Sequence, residues 1–383
     1  MNALQKQIIS DIRKHGPLPF IDFMETALYA DDHGYYTSDN AVFGADGDYI
    51  TAPELAPPGQ ISLFAGSIAR HLAQQHASLA SQTMVEVGAG SGRLALDLLL
   101  SLRALDCLPE RYILIERSRP MQQRQQALLA QAGLLDLVSW QNQPPQQDWN
   151  GILLANELLD ALPVERFRVH SDRIARLAVD VTDNDRLKWT ELPADDALIR
   201  SVQTMRKQLD AAQIDAWPLP YTSELCPDLT DLLAALTGHL QAGMLLLIDY
   251  GYLQHEYYHP QRHMGTLVSH SRHRGHFDLL ARPGEQDLSA FVDFSAVISA
   301  ARSCGLQPDS FQTQAEFLLQ AGIDKLLAPA HASNDNKALL QRNAEFKQLM
   351  LPTEMGEKFK VLAACRTEGT SDQLGAQRLN KNN

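Results

Sequence analysis

The sequence is short of positive charge, short of cysteine and without a long apolar run. Lysine and arginine total 33 against 46 aspartate and glutamate, a formal net charge of -13. Gripping a nucleic-acid backbone requires clustered Lys and Arg that displace counterions, so this balance argues against a nucleic-acid partner. It is compatible with a cationic substrate, although net charge speaks mainly to solubility. The four cysteines, Cys107, Cys226, Cys304 and Cys365, lie far apart and match no metal spacing. They read as reduced, buried thiols. The most apolar stretch, "LALDLLLSLRALDCL", is broken by charges, so no membrane insertion is expected. The opening "MNALQKQIISDIRKHG" is a mixed-charge amphipathic helix without the apolar centre of a secretory leader, and the expected location is cytoplasmic. Two nucleotide signatures are also missing. No glycine-rich run ends in Gly-Lys-Ser/Thr, and the one candidate dinucleotide loop has Arg93 where its third glycine should stand.

That loop lies in "VEVGAGSGRLA", where Gly88, Gly90 and Gly92 alternate behind Glu86. An apolar strand precedes it and the helical "RLALDLLLSLRAL" follows. Glycines at a strand end let the backbone approach a ligand and turn sharply into a helix. The next strand, "YILIE", ends at Glu116, where a carboxylate can accept hydrogen bonds from ribose hydroxyls. An acid ahead of alternating glycines, with a second acid one strand on, suits a ligand with a ribose, a cationic head and no phosphate. S-adenosylmethionine fits: Glu86 would face its methionine end and Glu116 its ribose. A dehydrogenase would also use Glu116, and the glycine spacing is what disfavours it.

From Met84 onward strands and helices alternate, the sign of a parallel sheet covered by helices. "MVEVG", "YILIE", "LVSW", "GILLANE" and "MLLLIDYG" read as strands one to five, "FKVLAACR" as a last strand, and "QPDSFQTQ" as its partner. Between strands four and five, "ERFRVH", "IARLAVDV" and "RLKWTEL" read as three antiparallel strands. Two helices then return the chain, the second spanning "SELCPDLTDLLAALTGHL".

Strand four runs into "NELLDALPVERF". Asn156, Glu157 and Asp160 stand where a transferred methyl would meet its acceptor; the alternative is that Asn156 caps a helix with acids facing water. Pro-Pro-aromatic, usual for adenine- or amide-nitrogen methylation, is absent here, and no cysteine lies near for attack on cytosine. Paired carboxylates suit a guanidinium. The six histidines at positions 255 to 276 match no compact ligand pattern, and no metal is expected. Asp287 and Asp293 read as helix caps.

Several segments, in order, resemble the MidA family of S-adenosylmethionine-dependent methyltransferases: "GPLPFIDFMETALY", "GYY", "FGADGDYITAPE", "VEVGAGSGRLA", "ANELLDALPVERF", "LLIDYGY", "EYYHPQRHMGTL" and "PGEQDLSAFVDF". The resemblance extends from about Gly16 to "MGEKFKVLAAC". It implies an α/β, Rossmann-like class I methyltransferase: a seven-stranded sheet, an N-terminal helical lid, and large inserts after strands four and five. It places Thr51, Pro53 and Glu54 over the cofactor. Mitochondrial members are complex I assembly factors that dimethylate an arginine of a partner subunit, so the implied partner is a protein, with a respiratory-complex subunit as one candidate. Two departures stand out: the run "ELAPPGQISLF", which bears on the shape of the lid, and Phe291 where the family pattern has histidine, which bears on substrate choice and activity.

The expected organisation is an N-terminal helix and lid loop (1–60), the first part of the cofactor-binding core (61–164), an insert of antiparallel strands and helices (165–240), the second part of the core (241–365) containing a substrate-side insert (252–293), and a disordered tail (366–383). The expected activity is methyl transfer to a protein arginine nitrogen. A non-catalytic assembly factor and a small-molecule methyltransferase are the alternatives.

Overall fold

The computed structural model describes residues 1–38, 51–57, 59–75, 82–271, 274–331 and 336–367. The start of the lid loop and nearly all of the expected tail lie outside these residues. The chain divides into two compact units. One comprises Met1–Tyr49, Leu159–Leu229 and Gly251–Ala296; the other comprises Ile50–Leu158, Thr230–Tyr250 and Val297–Asn383. The N-terminal helices and most of both expected inserts therefore fall in the first unit.

The second unit is built on strands β1 (Thr83–Val87), β2 (Arg111–Ile115), β3 (Val138–Gln141), β4 (Trp149–Asn156), β5 (Leu240–Tyr252), β6 (Gln307–Thr313) and β7 (Phe359–Arg366). Their order is β6-β7-β5-β4-β1-β2-β3. β1 to β5 pair in parallel, whereas β7 is antiparallel to both β5 and β6. Parallel strands covered on both faces read as nearly continuous apolar runs. All five residues of β1 are buried, including Thr83 and Glu86. The helix Arg93–Ala104 buries Leu94, Ala95, Leu98, Leu99 and Leu102, a stripe of helical period. Burying each leucine contributes about 2 kcal/mol. The chain leaves β1 toward β2 on one side and returns through β4 on the other. In open α/β sheets that reversal opens a crevice at the carboxyl ends of the strands.

The first unit has a five-stranded antiparallel sheet in the order Leu18–Pro19, Ile174–Val181, Glu165–Val169, Tyr221–Leu225, with Leu187–Pro193 also paired to Ile174–Val181. Two of its strands were not expected. Tyr221–Leu225 contains the "SEL" read above as the start of a helix, and that helix begins only at Leu229. Pairing of Tyr221–Leu225 with Glu165–Val169 satisfies its backbone groups and overrides local propensity. The end of β5, Gly251–Tyr252, lies in this unit and pairs in parallel with Val292–Asp293. A core of Phe167, Val202, Trp217, Tyr221, Tyr257 and Tyr258 packs behind the sheet.

Candidate active site

Register brings the expected cofactor residues to one edge. Val87 pairs with Ile115 on one side and Ala155 on the other. The glycine loop and Glu116, which follow their strands, and Asn156, which ends β4, therefore emerge together. The Gly88 N–H donates to the Ile115 carbonyl at 3.2 Å, and the Glu116 N–H to the Gln141 carbonyl at 3.0 Å.

Gly88, Gly90 and Gly92 have φ of 71°, 53° and 83°. This left-handed region admits glycine at little cost and other residues only with strain. Gly88 is exposed, Gly90 half-buried and Gly92 buried. A Cβ on Gly92 would lie 3.0 Å from Gln125 Cγ, so this glycine also serves packing inside the unit.

Glu116 is half-buried. Its Oε1 accepts from the Ser118 N–H at 2.9 Å and its Oε2 from Gln125 Nε2 at 3.2 Å. Burial raises its carboxyl above the usual range, and these two donors pull it back. Glu86 is placed differently. In a strand alternate side chains share a face, and Glu86 shares that of Met84. Its carboxylate is 2% exposed and accepts the Tyr112 hydroxyl at 2.5 Å. It lies among packed side chains rather than on the open side of the loop, where the methionine-end role had put it. Burial pushes its carboxyl up to about 7, with the Tyr112 hydroxyl opposing.

Thr51 precedes a 3-10 helix, Ala52–Leu55, that holds Pro53 and Glu54. The Ser91 hydroxyl donates to Glu54 Oε1, joining this segment to the glycine loop. Arg93, where a dinucleotide loop would have glycine, forms an ion pair with Asp97 at 2.9 Å and donates to the carbonyls of Pro57 and Gln60. Asp97 in turn accepts the Ser62 N–H at 2.8 Å. The run that departs from the MidA pattern is thus anchored to the helix behind the loop.

At the end of β4, Asn156 caps no helix: bends and turns follow it, and the next regular element is the strand Glu165–Val169. Glu157 has φ of 51°, left-handed and uncommon for glutamate. Its N–H donates to the Ile248 carbonyl at 2.9 Å, and Asn156 Nδ2 donates to its Oε1 at 3.1 Å. Asn156 Oδ1 is buried without a partner among the described residues. Asp160 belongs to the first unit, is 6% exposed, and its carbonyl accepts the Ala290 N–H at 2.9 Å.

Of the expected caps, Asp293 accepts from the N–H groups of Ser295 and Ala296 at 3.0 and 3.3 Å, while Asp287 instead accepts the Tyr36 hydroxyl at 2.9 Å. Cys107 is buried, but the other three cysteines are only half-buried. A cavity of about 550 Å³, lined by Thr83, Arg111 and the connector 141–149, opens where β1 and β2 begin, away from the glycine loop. Three residues of the site went unread in the sequence: Tyr112, Gln125 and Ser91. Gln125 had a signal, as the polar centre of the buried helical stripe Met121, Gln125, Leu129.

Strand order, alternating glycines and an acid at the end of β2 define a class I methyltransferase. The chain belongs to the family of S-adenosyl-L-methionine-dependent methyltransferases whose model matches residues 67–312, more than half of its length. It is 26% identical to the mitochondrial protein arginine methyltransferase NDUFAF7 of Bos taurus, over 98% of this chain and 87% of that protein. It is likewise 26% identical to the mitochondrial NDUFAF7 homolog of Drosophila melanogaster, over 94% of this chain and 84% of that protein. A solved superfamily member from Burkholderia thailandensis, bound to S-adenosyl-homocysteine, is 34% identical, covers 95% of this chain and 92% of its own, and superposes with a TM-score of 0.84. The MidA resemblance stands, the chain is an enzyme, and its cofactor is S-adenosylmethionine. The cytoplasmic expectation does not stand, because these curated relatives are mitochondrial proteins. It had rested on the lack of an apolar leader, which does not separate the two compartments. Among the described residues no helix is long and apolar enough to cross a membrane.

Proposed function

We propose that this enzyme methylates an arginine guanidinium nitrogen of a protein. The observation that carries the reading is Glu157: an acid held in a left-handed conformation at the end of β4, fixed by Ile248 and Asn156, next to the strand that bears the glycine loop. Strained backbone that neighbouring bonds maintain clusters at functional sites. The arginine methyltransferase names of the relatives support the same acceptor.

The bound cofactor supplies an electrophilic methyl group. Gly88, Gly90 and Gly92 shape the loop that receives it, Glu116 accepts hydrogen bonds from its ribose, and Thr51, Pro53 and Glu54 cover it. Glu86 acts from inside the sheet. A guanidinium is a poor nucleophile until one nitrogen is aligned and can lose a proton. Glu157 would pair with the cation and accept that proton as the nitrogen takes the methyl from the sulfonium, S-adenosylhomocysteine being the leaving group. The buried Asn156 Oδ1 is an acceptor suited to a second guanidinium N–H. A respiratory-complex subunit is the partner the family resemblance implies.

Glu157→Gln keeps the side chain's shape and removes its charge. Affinity for S-adenosylhomocysteine should stay near normal, while transfer to protein falls by about 10²-fold or more. Full methylation by the variant would remove Glu157 from the mechanism. Lost cofactor affinity would move it to the cofactor's surroundings.

A further inference from the structure

Gln125 sits in the helix Arg119–Gln131, is fully buried, and spends every polar atom of its side chain within the cofactor half of the site. Its Nε2 donates to the Gly90 carbonyl at 2.8 Å and to Glu116 Oε2 at 3.2 Å, and its Oε1 accepts from Trp140 Nε1 at 2.9 Å. The chemistry of the partners fixes which way the amide points. An indole N–H only donates, while a carbonyl and a carboxylate only accept. The amide oxygen must therefore face Trp140, and both amide hydrogens must face Gly90 and Glu116.

We infer that Gln125, oriented by Trp140, is the positioning residue that sets the ribose-binding carboxylate of Glu116 in register with the glycine loop. The inference rests on the reading of Glu116 as ribose acceptor. Ser118 holds one carboxylate oxygen and Gln125 the other, so the group cannot rotate. Each oxygen keeps a lone pair, enough to receive two neighbouring ribose hydroxyls. The same amide holds Gly90, so one side chain ties together the two parts of the site. Gly92 makes room for it, since a Cβ there would stand 3.0 Å from its Cγ and 3.3 Å from its Cβ. With both hydrogens and the oxygen engaged, Gln125 acts through Glu116 and the loop rather than on the ligand.

The test is calorimetric titration of the full chain with S-adenosylhomocysteine and with its analogue lacking the ribose hydroxyls. Gln125→Met keeps the length and removes the amide. It should weaken S-adenosylhomocysteine binding about tenfold, as expected for losing one hydrogen bond to a charged group. Affinity for the analogue, already weak, should barely change, and in turnover the effect should fall on the cofactor KM more than on kcat. Trp140→Phe removes the donor that pins the amide at a half-buried position. It should give a smaller loss of the same selective kind, and it decides the matter if Gln125→Met fails to fold by thermal unfolding. Equal losses for both ligands, or no loss for either, would overturn the inference. Glu116→Ala separates this from the reading beneath it. If that variant discriminates between the ligands as wild type does, the ribose reading fails and the inference with it. If Glu116→Ala loses discrimination while Gln125→Met and Trp140→Phe keep it, the inference alone is overturned.

Discussion

Glu86 and Glu116 are close to one another in register, since Glu86 pairs with Leu114 two residues before Glu116, yet their surroundings differ. Glu86 points to the packed face of the sheet, where it accepts the Tyr112 hydroxyl. Its carboxyl is pushed up to about 7 by burial. Glu116 lies just beyond the end of its strand, half-buried, where a backbone N–H and the Gln125 amide each take one oxygen. One acid is enclosed by the sheet; the other is aimed by it. For residues of one type beside one loop, the neighbouring donors and the face of the strand decide what the carboxylate can do.

The comparison can be broken first at Glu86, through pH. An acid whose folded pKa is raised contributes stability that is fully present below its unfolded pKa and is lost as pH rises through the folded value. For Glu86 those limits are 4.5 and about 7. Wild type should therefore lose stability relative to Glu86→Gln across that window, by up to about 3 kcal/mol above it. Denaturant unfolding of both proteins at several pH values measures this. A pH-independent difference would mean that the carboxyl does not titrate in the folded protein.

At Glu116 the effect belongs to binding rather than to folding. Glu116→Ala should weaken S-adenosylhomocysteine affinity by about 1.5–3 kcal/mol, the range for hydrogen bonds involving a charged group. Glu86→Gln should cost less than this at neutral pH, because its carboxylate is enclosed among β1, β2 and the covering helices. Calorimetry on the pair checks both. Equal losses would erase the distinction between the enclosed acid and the aimed one.

The cofactor unit was legible because its strands are nearly continuous apolar runs, "MVEV", "YILI" and "MLLLI", each followed by a glycine or an acid. The other unit was less so. The two-residue strand Leu18–Pro19 pairs with Ile174–Val181, and Tyr221–Leu225 pairs with Glu165–Val169; both pairings join distant stretches that no local pattern announces. At strand four the capping alternative for Asn156 was the one the sequence left open, and it failed because bends and turns, not a helix, follow this residue. Asp287 looked like a cap because an acid before an apolar run often is one, yet its partner is Tyr36, brought to it by the fold. The Ser91–Glu54 contact spans 37 residues and was approached only through family resemblance.

The most direct test of the arginine reading is peptide mapping of a cell extract incubated with the enzyme and methyl-labelled S-adenosylmethionine. The account predicts label on arginine side chains of a protein, present with wild type and strongly reduced with Glu157→Gln. Label confined to small molecules, or carried on protein by residues other than arginine, would contradict it.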